Sequence, residues 1–121
     1  MRLSLSILAL TFLASCSNAK SVSEKDTIQK STYKSWVLSR CISKIATDEK
    51  LKQDALNSAS AYLEQSDLSL EAFTNADPLI DSFLQRNYQG SIPGTFNTKK
   101  CIDLFNSDEL EKLYLQEKAK K

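Results

Sequence analysis

The stretch Tyr33-Lys34-Ser35-Trp36-Val37-Leu38-Ser39-Arg40-Cys41-Ile42-Ser43-Lys44-Ile45 decides the fold class. Its residues Tyr33, Trp36, Val37, Cys41 and Ile45 recur at spacings of three and four. On an α-helix that spacing draws one apolar stripe. Lys34, Ser35, Ser39 and Lys44 fall largely off it. A strand would need alternation, and no alternating run of useful length occurs anywhere in the chain. Trp36 is the largest apolar side chain, and it reads as a core anchor.

Helical pattern continues toward the C-terminus. Thr47 or Asp48 can cap a second helix by accepting a bond from a first-turn N–H. Its stripe is Leu51, Ala55, Leu56, Ala59, Tyr62 and Leu63, and the polar tract Gln65 to Asp67 ends it. A third stretch, from about Ser69 to Tyr88, has Phe73, Ala76, Leu79, Ile80, Phe83, Leu84 and Tyr88 in phase. Pro78 lies inside it. One kinked helix is the expectation, the alternative being a new helix capped by Asp77 with Pro78 first. Gly90 to Thr95 carries the turn chemistry of Gly and Pro. Residues 98–106 form a short helix with Cys101, Leu104 and Phe105 inward. Ser107 caps the last helix, whose stripe is Leu110, Leu113 and Tyr114.

Working toward the N-terminus, the helical pattern begins near Ile28, and residues 20–27 are polar and unpatterned, a tether. The expected fold is therefore all-α: one compact bundle of four to five helices over residues 28–121. None is long enough to be stable alone, so packing of the stripes must hold them.

Residues 1–19 read as an export signal. Arg2 is the positive n-region, and Leu3 to Leu13 has the length of an h-region, too short to span a bilayer. Leu13-Ala14-Ser15-Cys16 resembles a bacterial lipobox, which makes Cys16 a lipidation candidate. Ordinary cleavage after Ala19 is the competing reading. Both export the chain, and lipidation, with Ser17 after the Cys, would place it at the outer membrane.

Composition narrows the chemistry. The 121 residues include 16 Lys+Arg, 15 Asp+Glu, 3 Cys and no His. Without His there is no Ser-His-Asp or Cys-His catalysis and no His metal site. The near-zero net charge gives no broad attraction to nucleic acid, and no aromatic array accompanies the scattered basic residues. Asp77 and Asp81, or Asp108, Glu109 and Glu111, are the remaining acid/base or cation candidates. Spacing of four on a helix is weak evidence for either, and first-turn carboxylates also simply favour the helix dipole. No catalytic residue, metal site or cofactor is assigned. With Cys16 lipidated or removed, Cys41 and Cys101 are an even pair in an oxidising compartment, the setting of a disulfide. Two unpaired buried thiols are the alternative. Charge is uneven along the chain: residues 20–52 hold 8 basic and 4 acidic groups, and residues 53–98 hold only Arg86 against six acids.

Three stretches together resemble a known family. They are Tyr33 to Ile42 as quoted above, then Pro78-Leu79-Ile80-Asp81-Ser82-Phe83-Leu84-Gln85-Arg86-Asn87-Tyr88, then Lys100-Cys101-Ile102-Asp103-Leu104-Phe105-Asn106-Ser107-Asp108-Glu109-Leu110. Over roughly residues 30 to 115 the chain is similar to the immunity proteins of the type VI secretion amidase effectors, the partners of the fourth amidase family. The resemblance implies a small, exported, all-helical protein with its cysteine pair bridged. It implies a periplasmic inhibitor without chemistry of its own. The partner would be a papain-like Cys–His peptidoglycan amidase, whose cleft a homodimer blocks with a helix and a nearby loop. The acidic segment offers candidate partner-binding residues, Glu64, Asp67, Glu71 and Asp77, which would face a basic cleft. A different class also fits the residues, a small outer-membrane lipoprotein serving as an assembly subunit or apolar-ligand carrier.

Overall fold

The computed structural model describes residues 22–121, so the export-signal reading of residues 1–19 and the lipidation of Cys16 lie outside the described residues. Six helical segments follow one another: α1 (Glu24–Ile45), α2 (Glu49–Glu64), α3 (Leu70–Thr74), α4 (Asp77–Leu84), α5 (Asn97–Phe105) and α6 (Asp108–Ala119). α3 is little more than one turn. The other five form the expected all-α bundle, and no strand occurs among the described residues.

α1, about 33 Å long at 1.5 Å per residue, is the spine against which α2, α3, α4, α5 and α6 all pack. The stripe read from the sequence is the face it buries: Tyr33, Val37 and Cys41 are fully enclosed and Trp36 nearly so. Tyr33 lies 5.3 Å from the Phe73 ring and 5.8 Å from that of Tyr114, while Trp36 meets Phe73 edge-on at 5.0 Å. Tilted and edge-on pairs suit the aromatic quadrupole. Ala55 and Ala59 are the buried residues of α2, and small side chains there let α1 and α2 approach closely. Ile80, Phe83, Leu104, Leu110 and Tyr114 complete the core.

Four expectations need correction. α1 begins at Glu24, not near Ile28, so the second half of the expected tether is helix: Ser23 Oγ accepts the Asp26 N–H at 3.1 Å, and Glu24 and Asp26 suit the positive end of the dipole. Residues 69–88 do not form one kinked helix. Pro78 has no N–H to offer the Thr74 carbonyl, so α3 stops and α4 restarts with Ala76 as its N-cap rather than Asp77. Pro78 then sits in the first turn of α4, where its missing N–H costs nothing. α4 ends at Leu84, short of Tyr88. Finally, Leu51 stands in phase with its stripe but is 49% exposed. At the open choice between Thr47 and Asp48, the Asp48 carboxylate takes the Leu51 N–H at 2.9 Å. Ser107 caps α6 as expected, at 3.1 Å from the Leu110 N–H.

Candidate partner-binding surface

Cys41 on α1 and Cys101 on α5 are bonded, with Cα atoms 5.7 Å apart across a sequence separation of 60 residues. Both are buried. Closing a loop of that length stabilises the fold by about 4 kcal/mol in the chain-entropy model.

The four acidic candidates do not share one environment. Glu64 ends α2 and Glu71 lies in α3; both are exposed, and neither makes an ion pair among the described residues. Asp67, in the turn between α2 and α3, is held by Lys25 at 2.9 Å, with Lys121 at 3.8 Å. The Lys25 ammonium keeps its carboxyl below the ordinary Asp range. Asp77 faces Arg40 at 3.4 Å and Lys44 at 3.7 Å, and Lys44 also reaches Asp81 at 2.6 Å. Part of the negative charge in the middle third is thus neutralised by basic residues of α1. Charge counting along the sequence missed this, because the α1 partners lie 33 to 42 positions away. Asp67 and Asp77 also line different depressions. Asp67 borders one with Asp26, Gln29, Tyr114 and Lys118. Asp77 borders another, about 280 Å³, between Trp36, Leu63, Leu70 and Phe73. Leu70 stands 66% exposed at its edge. Asp77 and Asp81 are therefore both paired with α1 cations. No cluster of metal ligands occurs among the described residues.

A second surface was legible only as a loop. Residues 87–98 contain no charged side chain, the longest such run among the described residues in a chain that is 26% charged. Ile92 is 73% exposed at its tip. Its base is stitched down. The Tyr88 hydroxyl donates to Asp103 Oδ2 at 2.6 Å, and Lys99 reaches the same oxygen at 2.7 Å. Lys99 and then Tyr88 hold the Asp103 carboxyl low, and the same carboxylate pushes the Tyr88 phenol up. Phe96 closes the loop in the left-handed region at φ 56°, which a non-glycine residue adopts only where its surroundings insist. Its ring lies over Gly90, where an added Cβ would come within 3.0 Å of Phe96 Cζ. A larger residue at position 90 would push the ring back by a few tenths of an ångström.

The family model for type VI secretion system amidase immunity proteins, Tai4, matches residues 31–114. The chain belongs to the Tai4 family. Solved structures agree. A chain of the type VI effector–immunity complex Tae4-Tai4 from Enterobacter cloacae is 42% identical, with 71% of this chain and 88% of that chain covered and a TM-score of 0.66. A chain of the Tae4/Tai4 effector–immunity system from Salmonella typhimurium is 38% identical, with 71% and 85% covered and a TM-score of 0.66. A third match, at 42% identity, is to the Salmonella typhimurium effector Tae4 in complex with the Enterobacter cloacae immunity protein Tai4, with 71% and 89% covered and a TM-score of 0.66. No curated protein matches the chain. The Tai4 match spans all the helices that surround the two surfaces, from within α1 to within α6. Tai4 proteins are immunity proteins against amidases, and they act in the periplasm.

Proposed function

We propose that this chain protects its cell by binding a Tae4-type peptidoglycan amidase in the periplasm and covering its substrate cleft, with no turnover of its own. The observation that carries the reading is the Tai4 match over residues 31–114. The 42% identity to a chain of a Tae4-Tai4 complex supports the same partner class.

A rigid helical body suits obstruction, since little conformational freedom is left to lose on docking. In this reading Glu64, Asp67, Glu71 and Asp77 steer the approach to a basic cleft, and the neutral 87–98 segment with Ile92 enters it. Charges at a rim act chiefly on association rate and partner choice. Glu64 and Glu71 carry most of that steering, because Asp67 and Asp77 are already compensated by α1 cations. The protein acts as a homodimer, exported by its leader, and a lipid on Cys16 tethers it to the outer membrane.

The decisive assay is peptidoglycan digestion by purified Salmonella typhimurium Tae4 with and without equimolar immunity protein. Digestion should stop on addition; undiminished digestion by an effector that this chain also fails to bind rejects the reading. Reversing Glu64 and Glu71 to Lys should slow association about tenfold at low salt, with the helical circular dichroism unchanged. Light scattering tests the dimer. Cys16→Ser tests the tether: the protein should leave the membrane fraction and become soluble in the periplasm.

A further inference from the structure

Lys100 is an unusual residue in this fold. It lies in the first turns of α5 yet is only 6% exposed, and lysine is almost never buried without a partner. Its Nζ donates to the Leu84 carbonyl at 3.1 Å and contacts Asn97 Oδ1 at 3.4 Å. Leu84 is the last residue of α4, so the ammonium satisfies one of the carbonyls that a helix end leaves open, at the negative end of its dipole. Asn97 is the first residue of α5. One buried cation thus binds both stems of the 85–96 connection. The next residue, Cys101, is bonded to Cys41 on α1, so the platform that carries Lys100 cannot drift from the core. Above this tie lie the Tyr88–Asp103 bond and the Gly90–Phe96 contact. The connection is therefore fixed at three successive levels, and only Ser91 to Thr95 project beyond the last.

We propose that Lys100 is a positioning residue for amidase blockade: its buried ammonium joins the end of α4 to the start of α5 and so holds the 87–98 segment ready to dock. This rests on the reading that the segment meets the amidase. Lys100 touches no partner itself. Its effect is on the fraction of molecules whose loop already has the docking shape. Apparent affinity scales with that fraction, so a loop that is ready one time in ten binds about tenfold more weakly. The loss then falls on association, because the contacts made once docked are the same.

The test compares three variants of the full chain for binding to Salmonella typhimurium Tae4 and for backbone order parameters of the unbound protein. Lys100→Met keeps the buried volume and removes the ammonium. It should lower the association rate about tenfold, leave dissociation within about twofold, and lower the order parameters of residues 89–95 while those of α1 stay rigid. Should Lys100→Met fail to fold, Asn97→Ala removes one acceptor at the same tie and should move both readouts in the same direction by a smaller amount. Ile92→Ser removes the tip contact and should raise the dissociation rate with order parameters unchanged. If Ile92→Ser weakens binding and the Lys100 and Asn97 variants alter neither association nor loop order, the positioning role is wrong and the docking reading stands. If Ile92→Ser is silent, the docking reading falls, and the positioning role with it.

Discussion

At its N-terminal end, α1 is tied to the rest of the molecule by a set of polar contacts. The Gln29 side chain accepts the Asp67 N–H at 2.7 Å and donates to the Gln65 carbonyl at 3.2 Å. Asp26 takes the Tyr114 hydroxyl at 2.9 Å and Lys118 at 2.6 Å, and Lys25 pairs with Asp67. Near its C-terminal end the same helix is fastened to α5 by a buried covalent bond. Both ends bring together parts of the chain that are far apart in sequence, but they respond to different agents. Exposed ion pairs are weak and screened by salt, and carboxylates lose them in acid. A disulfide ignores both and answers to reductant. The covalent end fixes the platform beneath the 87–98 segment.

The largest effect should come from the covalent end. Replacing both Cys41 and Cys101 with Ser should lower unfolding free energy by about 4 kcal/mol, read as a shift in denaturant midpoint. A loss below about 1 kcal/mol would mean that packing alone holds α5 to α1. Between the two ends, Tyr33→Phe removes the bond from the buried phenol to the Ala72 carbonyl, 2.8 Å long. The orphaned carbonyl should cost about 1–3 kcal/mol, measurable by the same titration.

Acid should act on the polar end. The Lys118 ammonium, then the Tyr114 hydroxyl, hold the Asp26 carboxyl below its ordinary value of 3.8, and Lys25 does the same for Asp67. Lys120, then Asn75, hold the buried Glu117 below 4.5. A carboxyl whose folded pKa is depressed stabilises the fold at pH above its unfolded value and loses that contribution as pH falls through the folded one. Stability should thus be flat from about pH 7 to pH 5 and decline below about pH 4.5. Asp26→Asn should flatten that decline, whereas the double cysteine variant should lower the whole curve and keep its slope. Equal slopes for Asp26→Asn and the parent would remove the polar end from the account. The smallest effect belongs to Asp67→Asn, whose partners Lys25 and Lys121 are largely exposed. A slight fall in melting temperature at low salt should vanish near 0.5 M salt, where the Debye length is only a few ångströms; a fall that persists would show a bond that salt does not screen.

Much of the fold was legible because a helix in a bundle writes its buried face into the chain at spacings of three and four. That held for α1, where Tyr33, Trp36, Val37 and Cys41 are the core, and for α6, where Ser107 caps and Leu110 and Tyr114 face inward. It held less well at Leu51, which is in phase with the α2 stripe yet about half exposed. Ser39 and Ser43 lie off the stripe, yet both are buried, and each hydroxyl bonds back to a carbonyl of its own helix, Ser35 and Arg40 respectively. The site was legible in part. The family followed from three separated stretches, and the turn signals marked the 90–95 loop, but the acidic candidates looked like one patch. The cations that pair with Asp67 and Asp77 lie on α1, beyond the reach of local charge counting.

By itself the sequence determined that this is an all-α, cross-linkable, histidine-free protein, since periodicity and composition are local properties that every fold of the chain must keep. Only the tertiary structure decided which charges remain unspent, where the helix after Thr74 breaks and restarts, and that Lys100 closes α4 from the first turns of α5. Those outcomes depend on atoms brought together from far apart in the chain, and no spacing along the backbone encodes such a meeting.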